Sequence, residues 1–283
     1  MRDNVRRWLE TGVRGFVIGG STGEAVLLDE DERCLLWEGV REVVPEDRLL
    51  VAGTGSESLR ATLRLTRKAA SCGYDAVLVQ PPAFYKGAMT DAVVRDHYRS
   101  LADASPIPVI LYQVPLRFST LDFSTGLVAE LSTHPNIIGM KDSRGKLDLV
   151  GELVTGSANG FQVLVGSGSI LYAALEIGAV GGILGVANLA PAESAGIHAL
   201  FVAGDGAGAG ALQERVAPVH NAIIGGMGVP GVKCGLDLLG YQGGAPRPPL
   251  MALPESRHSE VAGILKTAAL ASQEAVDPAV ARI

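Results

Sequence analysis

Lys141 interrupts an apolar run, Ile137-Ile138-Gly139-Met140, and is followed by Asp142 and Ser143. A lysine amine titrates near ~10.4, so at neutral pH it is cationic and a poor nucleophile. An apolar surround favours the neutral amine, which condenses with a ketone to an imine. The iminium is an electron sink for making or breaking the adjacent C–C bond. The plainer alternative is a strand-end lysine that reaches solvent or pairs with Asp142. Tyr112 closes a second apolar run. A phenol there could move protons for the lysine adduct, or it could simply satisfy a backbone group in the core. Gly20-Ser21-Thr22-Gly23-Glu24 reads as a tight turn. Its two hydroxyls and its backbone N–H groups suit a small carboxylate or phosphate.

Other chemistries find less support. His97, His134, His198, His220 and His258 stand apart, mostly in helices or loops away from strand ends. A metal site would need clustered His and carboxylate ligands. Gly166-Ser167-Gly168-Ser169 is the nearest approach to a hydrolase elbow, and its spacing is wrong. The three cysteines, Cys34, Cys72 and Cys234, are too scattered for a disulfide framework or zinc knuckle. They lead us to expect a reduced, cytoplasmic protein. With 24 Lys and Arg against 30 Asp and Glu, the net charge is −6. An acidic chain lacks the basic footprint of a nucleic-acid binder. No apolar run reaches the roughly 18 residues of a membrane span, and the opening residues lack a secretory signal's apolar core.

The elements that must position these groups follow from the hydrophobic pattern. Apolar residues make up 47% of the 283, charged ones 19%, and glycines number 36. Short apolar runs recur at Gly15–Gly19, Leu49–Thr54, Ala76–Pro82, Val109–Pro115, Ile137–Ser143, Gln162–Gly168 and Gly181–Leu189. Most are continuously apolar, as in parallel strands covered on both faces. Helical patterns separate them. One is announced by Asp29 and Glu32 in a capping box, with Leu35, Leu36 and Val40 behind. Strand–helix alternation means a parallel α/β sheet, either open or closed as a barrel. An open sheet usually carries a glycine-rich nucleotide turn after its first strand. The densest glycine run, Gly204 to Gly210, instead follows a helix over Glu193–Val202 and reads as a helix–helix connection. We therefore expect a TIM (β/α)8-type barrel over residues 1–190. Only seven strands are legible, however. The chain opens in an amphipathic helix with Val5, Trp8 and Leu9 on one face, without the strand that should precede it. Residues 191–283 read as C-terminal helices packed on the barrel in one structural unit, at Ala211–Ile223, Val232–Leu239 and Ser256–Ala271. A Pro-rich loop lies over Ala245–Pro254.

Barrel active sites lie at the C-terminal strand ends. There the chain carries Gly-Ser-Thr-Gly-Glu at 20–24, Ala-Gly-Thr-Gly at 52–55 and Tyr-Gln-Val-Pro at 112–115. Further along come Gly-Met-Lys-Asp-Ser at 139–143, Val-Gly-Ser-Gly at 165–168 and Gly-Val-Ala-Asn at 185–188. In this order the set resembles the pyruvate-dependent class I aldolase family, which includes dihydrodipicolinate synthase and N-acetylneuraminate lyase. The resemblance runs from residue 4 to about residue 270, and its wording is closest to 4-hydroxy-2-oxoglutarate aldolase. It implies Lys141 as imine lysine, Tyr112 as proton shuttle, and Ser21 and Thr22 as the pyruvate carboxylate turn. It further implies Gly166 and Ile183 as walls of the pyruvate pocket, and Arg117 as the group for a second substrate carboxylate.

Three departures from the family pattern stand out. The first strand is missing. Phe84, beside Tyr85, replaces a tyrosine that in many relatives reaches the neighbouring subunit's site. Phe118 follows Arg117 where the synthase has a threonine. The implied partners are pyruvate and an aldehyde, in a homodimer or homotetramer, with no cofactor, metal, nucleic acid or membrane. Dihydrodipicolinate synthase and a non-catalytic keto-acid-binding protein are the alternatives.

Overall fold

The computed structural model describes residues 1–270. Seven parallel strands form one sheet in sequence order. They are β1 (Gly15–Ile18), β2 (Leu49–Gly53), β3 (Ala76–Val79), β4 (Val109–Gln113), β5 (Ile137–Asp142), β6 (Gln162–Val165) and β7 (Gly181–Gly182). Consecutive parallel neighbours need a crossover each, and helices supply it. They are α1 (Arg2–Leu9) before β1, then α2 (Glu30–Arg41), α3 (Leu59–Ser71), α4 (Asp91–Ala104), α5 (Thr125–Leu131), α6 (Leu147–Gly156) and α7 (Leu171–Glu176). The sequence of sheet neighbours and covering helices is that of a TIM-type α/β barrel.

Local chemistry starts the helices where the sequence says they start. Asp29 accepts from the Glu32 N–H at 2.8 Å, and Glu32 accepts from the Asp29 N–H at 3.1 Å. This capping box satisfies two N–H groups that would otherwise be orphaned at the start of α2. Ser58, Thr90 and Ser124 cap α3, α4 and α5 from one side only, each side chain accepting from the N–H three residues on. Along the strands the side chains alternate between two cores. Val77, Val79, Val109 and Leu111 face the helices in the larger core. Ala76, Leu78, Ile110, Tyr112 and Val114 face the barrel interior, with Val17, Val51 and Ile138 half-buried beside them.

Among the described residues β1 and β7 do not pair, so the sheet is open on that side. The expected gap beside β1 is present. The last strand is shorter than its apolar run suggests. Only Gly181–Gly182 pairs with β6, and Gly185–Asn188 coils into a 3₁₀ turn. The glycine run is also a correction. Its connection is brief, because α9 (Gly206–Val219) starts inside it, with Asp205 accepting from the Gly208 N–H at 2.9 Å. α8 spans Pro191–Val202.

The expected helix over Ala211–Ile223 ends at Val219 and passes into a π-helix at His220–Met227, followed by α10 (Gly228–Leu238). The last expected helix is α11 (His258–Thr267), and the end of its forecast span, Ala271, lies outside the described residues. The loop after α10 returns to the N-terminus, where Asn4 exchanges hydrogen bonds with the backbone of Gln242 at 2.9 Å each way.

Candidate active site

Lys141 and Tyr112 come together through a register step. Val109 faces Ile137, but Ile110 already faces Gly139, so β5 carries one extra residue at Ile138. An unmatched residue shifts every later side chain by one position along its partner. The result sets Lys141 directly opposite Tyr112. Lys141 is buried, 8% exposed, and its Nζ lies 4.3 Å from the centre of the Tyr112 ring. Pairing with Asp142 is not what the structure shows. The Asp142 carboxylate is fully buried on Arg144, accepting from its Nε at 2.7 Å and its backbone N–H at 2.8 Å. Among the described residues Lys141 has no carboxylate partner.

The turn after β1 supplies the next member. Ser21 Oγ lies 3.1 Å from the Tyr112 hydroxyl. The N–H groups of Gly23, Glu24 and Ala25 are taken up inside the turn, on the carbonyls of Gly20 and Ser21. What the turn presents to Tyr112 is therefore a hydroxyl. Burial pushes the Tyr112 phenol up. Lys141, with polar contacts from Ser21 and Ser143, outweighs burial and leaves it below its ordinary value. Glu24 pins the turn from behind. It is buried in a left-handed conformation (φ 58°), paired with Lys233 of α10 at 3.2 Å, and accepts from the Arg247 N–H at 2.7 Å.

Gly166 lies against the lysine. A Cβ at this position would stand 1.9 Å from Ser143 Oγ and 3.0 Å from Lys141 Cε, so only glycine fits. Thr22 Oγ1 faces Gly185, where a Cβ would come within 3.0 Å. The turn after β1 thus approaches the turn after β7 although their strands do not pair. Ile183 is half-buried just beyond β7, its N–H on the Val165 carbonyl at 2.9 Å. Arg117, in the turn after β4, reaches the π-helix and donates to the Ile224 carbonyl at 3.2 Å, over the Phe118 ring. Phe84 and Tyr85 stand apart from this group. They are 79% and 73% exposed, packed edge to face at 5.2 Å.

Sequence reasoning missed two participants. Ser143 was legible as a strand-end residue but carried no role. Its hydroxyl packs against Gly166 and contributes to lowering the Tyr112 phenol. His220 looked like a helical histidine remote from the strand ends. The π-helix brings it to the loop after β6, with Nε2 3.2 Å from Ser167 Oγ. Among the described residues no three His, Cys, Asp or Glu side chains converge as metal ligands would.

The family model described as "Dihydrodipicolinate synthetase family" matches residues 1–268. The protein named "Probable 4-hydroxy-2-oxoglutarate aldolase, mitochondrial" from Emericella nidulans is 37% identical over 92% of this chain and 84% of its own length. A 4-hydroxy-tetrahydrodipicolinate synthase from Methanoculleus marisnigri is 33% identical over 94% of this chain and 90% of its own. Among solved structures, a dihydrodipicolinate synthase from Acinetobacter baumannii complexed with pyruvate superposes with TM-score 0.90. It is 30% identical and covers 95% of this chain and 92% of that one. All three are named as enzymes, and the non-catalytic alternative gives way. The matches run over nearly the whole length of the described fold: the chain is an enzyme of the dihydrodipicolinate synthetase family.

Proposed function

We propose that the chain is a class I lyase acting on pyruvate and an aldehyde, with the activity of a 4-hydroxy-2-oxoglutarate aldolase. The observation that carries this reading is Lys141 Nζ, buried over the Tyr112 ring with no carboxylate partner among the described residues. In the synthetic direction the Lys141 amine adds to the C2 carbonyl of pyruvate and water leaves, giving the imine. Loss of a C3 proton gives the enamine, which attacks the aldehyde carbon. Hydrolysis then returns the lysine and releases the product. Tyr112, in hydrogen-bond contact with Ser21, moves the protons between adduct and oxygen. Ser21 and Thr22 hold the pyruvate carboxylate, and Gly166 and Ile183 wall the pocket. Arg117 binds the carboxylate of an acidic aldehyde such as glyoxylate.

A second reading is 4-hydroxy-tetrahydrodipicolinate synthase, with aspartate semialdehyde as the aldehyde. It draws on the names of several relatives between 30% and 35% identical. Steady-state turnover with pyruvate and each aldehyde separates the two readings. The aldolase reading expects kcat/KM with glyoxylate, or for cleavage of 4-hydroxy-2-oxoglutarate, to exceed that with aspartate semialdehyde by at least tenfold. The reverse order makes the chain a synthase.

The exposed pair Phe84 and Tyr85 supports a homodimer or homotetramer in which these rings are covered. The three free cysteines support a reducing compartment such as the cytoplasm.

A further inference from the structure

The loop after β6, Gly166 to Ser169, forms the wall against which the Lys141 side chain lies. Its own position is fixed from outside the barrel. The Gly168 N–H donates to His220 Nδ1 at 3.2 Å, and the Gly168 carbonyl accepts from Gln213 Nε2 at 2.8 Å. Both ends of one residue are therefore held by side chains of α9 and the π-helix. Gln213 is itself oriented, because its Oε1 accepts from the Tyr172 N–H at 2.9 Å. Gly168 cannot give way sideways, since a Cβ there would meet Val186 Cγ1 at 2.4 Å.

The imidazole can hold this arrangement in only one form. Nδ1 accepts, so the neutral ring carries its proton on Nε2 and donates it to Ser167 Oγ at 3.2 Å. Ser167 in turn lies 2.9 Å from Ser169 Oγ. Burial, and then Arg117, hold the ring down to about 4, which keeps it neutral at working pH. The same π-helix accepts Arg117 on Ile224. A π-helix is an uncommon feature that frequently occurs at functional sites. Here it links two strand-end turns that flank Lys141.

We infer that His220 and Gln213 are positioning residues for the imine lysine. By gripping the Gly168 peptide groups they set the Gly166 wall, and that wall sets where the Lys141 amine meets the keto carbon. The inference rests on the aldolase reading. A displacement of about 1 Å at a reacting centre can lower a rate by roughly 10²-fold.

The test uses the full chain with labelled pyruvate and borohydride, following the rate of label capture by Lys141 alongside kcat, KM for pyruvate and Tm. His220→Ala is expected to slow capture and kcat by roughly 10- to 100-fold, with KM for pyruvate changed far less. His220→Asn restores an acceptor near the Nδ1 position and is expected to recover most of the capture rate. His220→Gln offers a donor to Ser167 but no acceptor to Gly168, and is expected to recover less. Gln213→Ala is expected to slow capture by its own route and gives a second reading should His220→Ala fold poorly. Capture at the wild-type rate in folded His220→Ala and Gln213→Ala overturns the inference alone. So does a loss that follows Tm and is not rescued by His220→Asn. A wild-type chain that captures no label overturns the aldolase reading, and this inference with it.

Discussion

Tyr112 faces two opposed influences, and the balance between them bears on how it works. Burial alone would make its proton hard to lose, while Lys141 and the polar contacts from Ser21 and Ser143 draw the phenol below its ordinary value. A phenol lowered toward neutrality is a better shuttle, since proton transfer is most effective when donor and medium are matched. Tyr112→Phe removes the hydroxyl and keeps the ring that lies beside Lys141. It should lower kcat by roughly 10²–10⁴, the range for a positioned acid–base group. Pre-bound pyruvate should still be captured by borohydride. An unchanged kcat would mean that the proton travels through another group, with the hydroxyls of Ser21 and Ser143 the ones to test.

At the scale of elements, the molecule depends on two irregularities that pattern reading does not see. One is the extra residue at Ile138, which sets Lys141 opposite Tyr112. The other is the π-helix, which turns His220 onto the β6 loop. The strands themselves were legible, because parallel strands covered on both faces are continuous apolar runs. The start of α2 was legible because a capping box is local. The error at β7 has the same origin. Gly181–Leu189 is apolar enough for a strand, yet only its first two residues find a partner, and the rest coil toward Pro191 at the start of α8. The glycines of 204–210 were misread because capping by Asp205 and packing of α9 against α8 override their low helix propensity. Lys141, Tyr112 and Ser21 could be picked out by type and strand-end position. His220 could not, since its partners lie 52 and 53 residues away and nothing near it in the chain marks the contact.

The π-helix also makes a prediction about acid. An unfolded imidazole titrates near 6.5, whereas in the fold burial and then Arg117 lower His220 to about 4. Between these values the unfolded chain binds more protons than the folded one, so stability rises with pH there. The His220 contribution is therefore fully present above pH 6.5 and is lost as the pH falls toward 4. Tm measured at pH 7.5 and pH 5 should fall more for the wild-type chain than for His220→Asn, which cannot titrate. Equal falls would show that His220 does not carry the linkage. His97, also lowered by burial, contributes to both proteins alike.

For the whole molecule the open side of the sheet is the weak point. β1 and β7 each keep one edge without a strand among the described residues, and Val17 and Val51 of the interior layer are only half-buried beside it. An edge leaves N–H and C=O groups unpaired and lets water reach the interior. The 283-residue chain should therefore melt below a version extended upstream by one strand and its loop. The shift should be measurable, roughly 2–4 °C for each kcal/mol that closing the edge contributes. Equal melting temperatures would mean that contacts such as Thr22 against Gly185 close the mouth well enough without a further strand.

The central claim is that Lys141 forms an imine with pyruvate, and reductive trapping tests it most directly. The chain is incubated with isotopically labelled pyruvate, reduced with borohydride, digested, and the labelled peptide sequenced by mass spectrometry. The account predicts one stable adduct, on Lys141, that disappears in Lys141→Ala while that variant keeps a Tm close to wild type. Label on a different lysine, undiminished label in Lys141→Ala, or no label in the wild-type chain would contradict it.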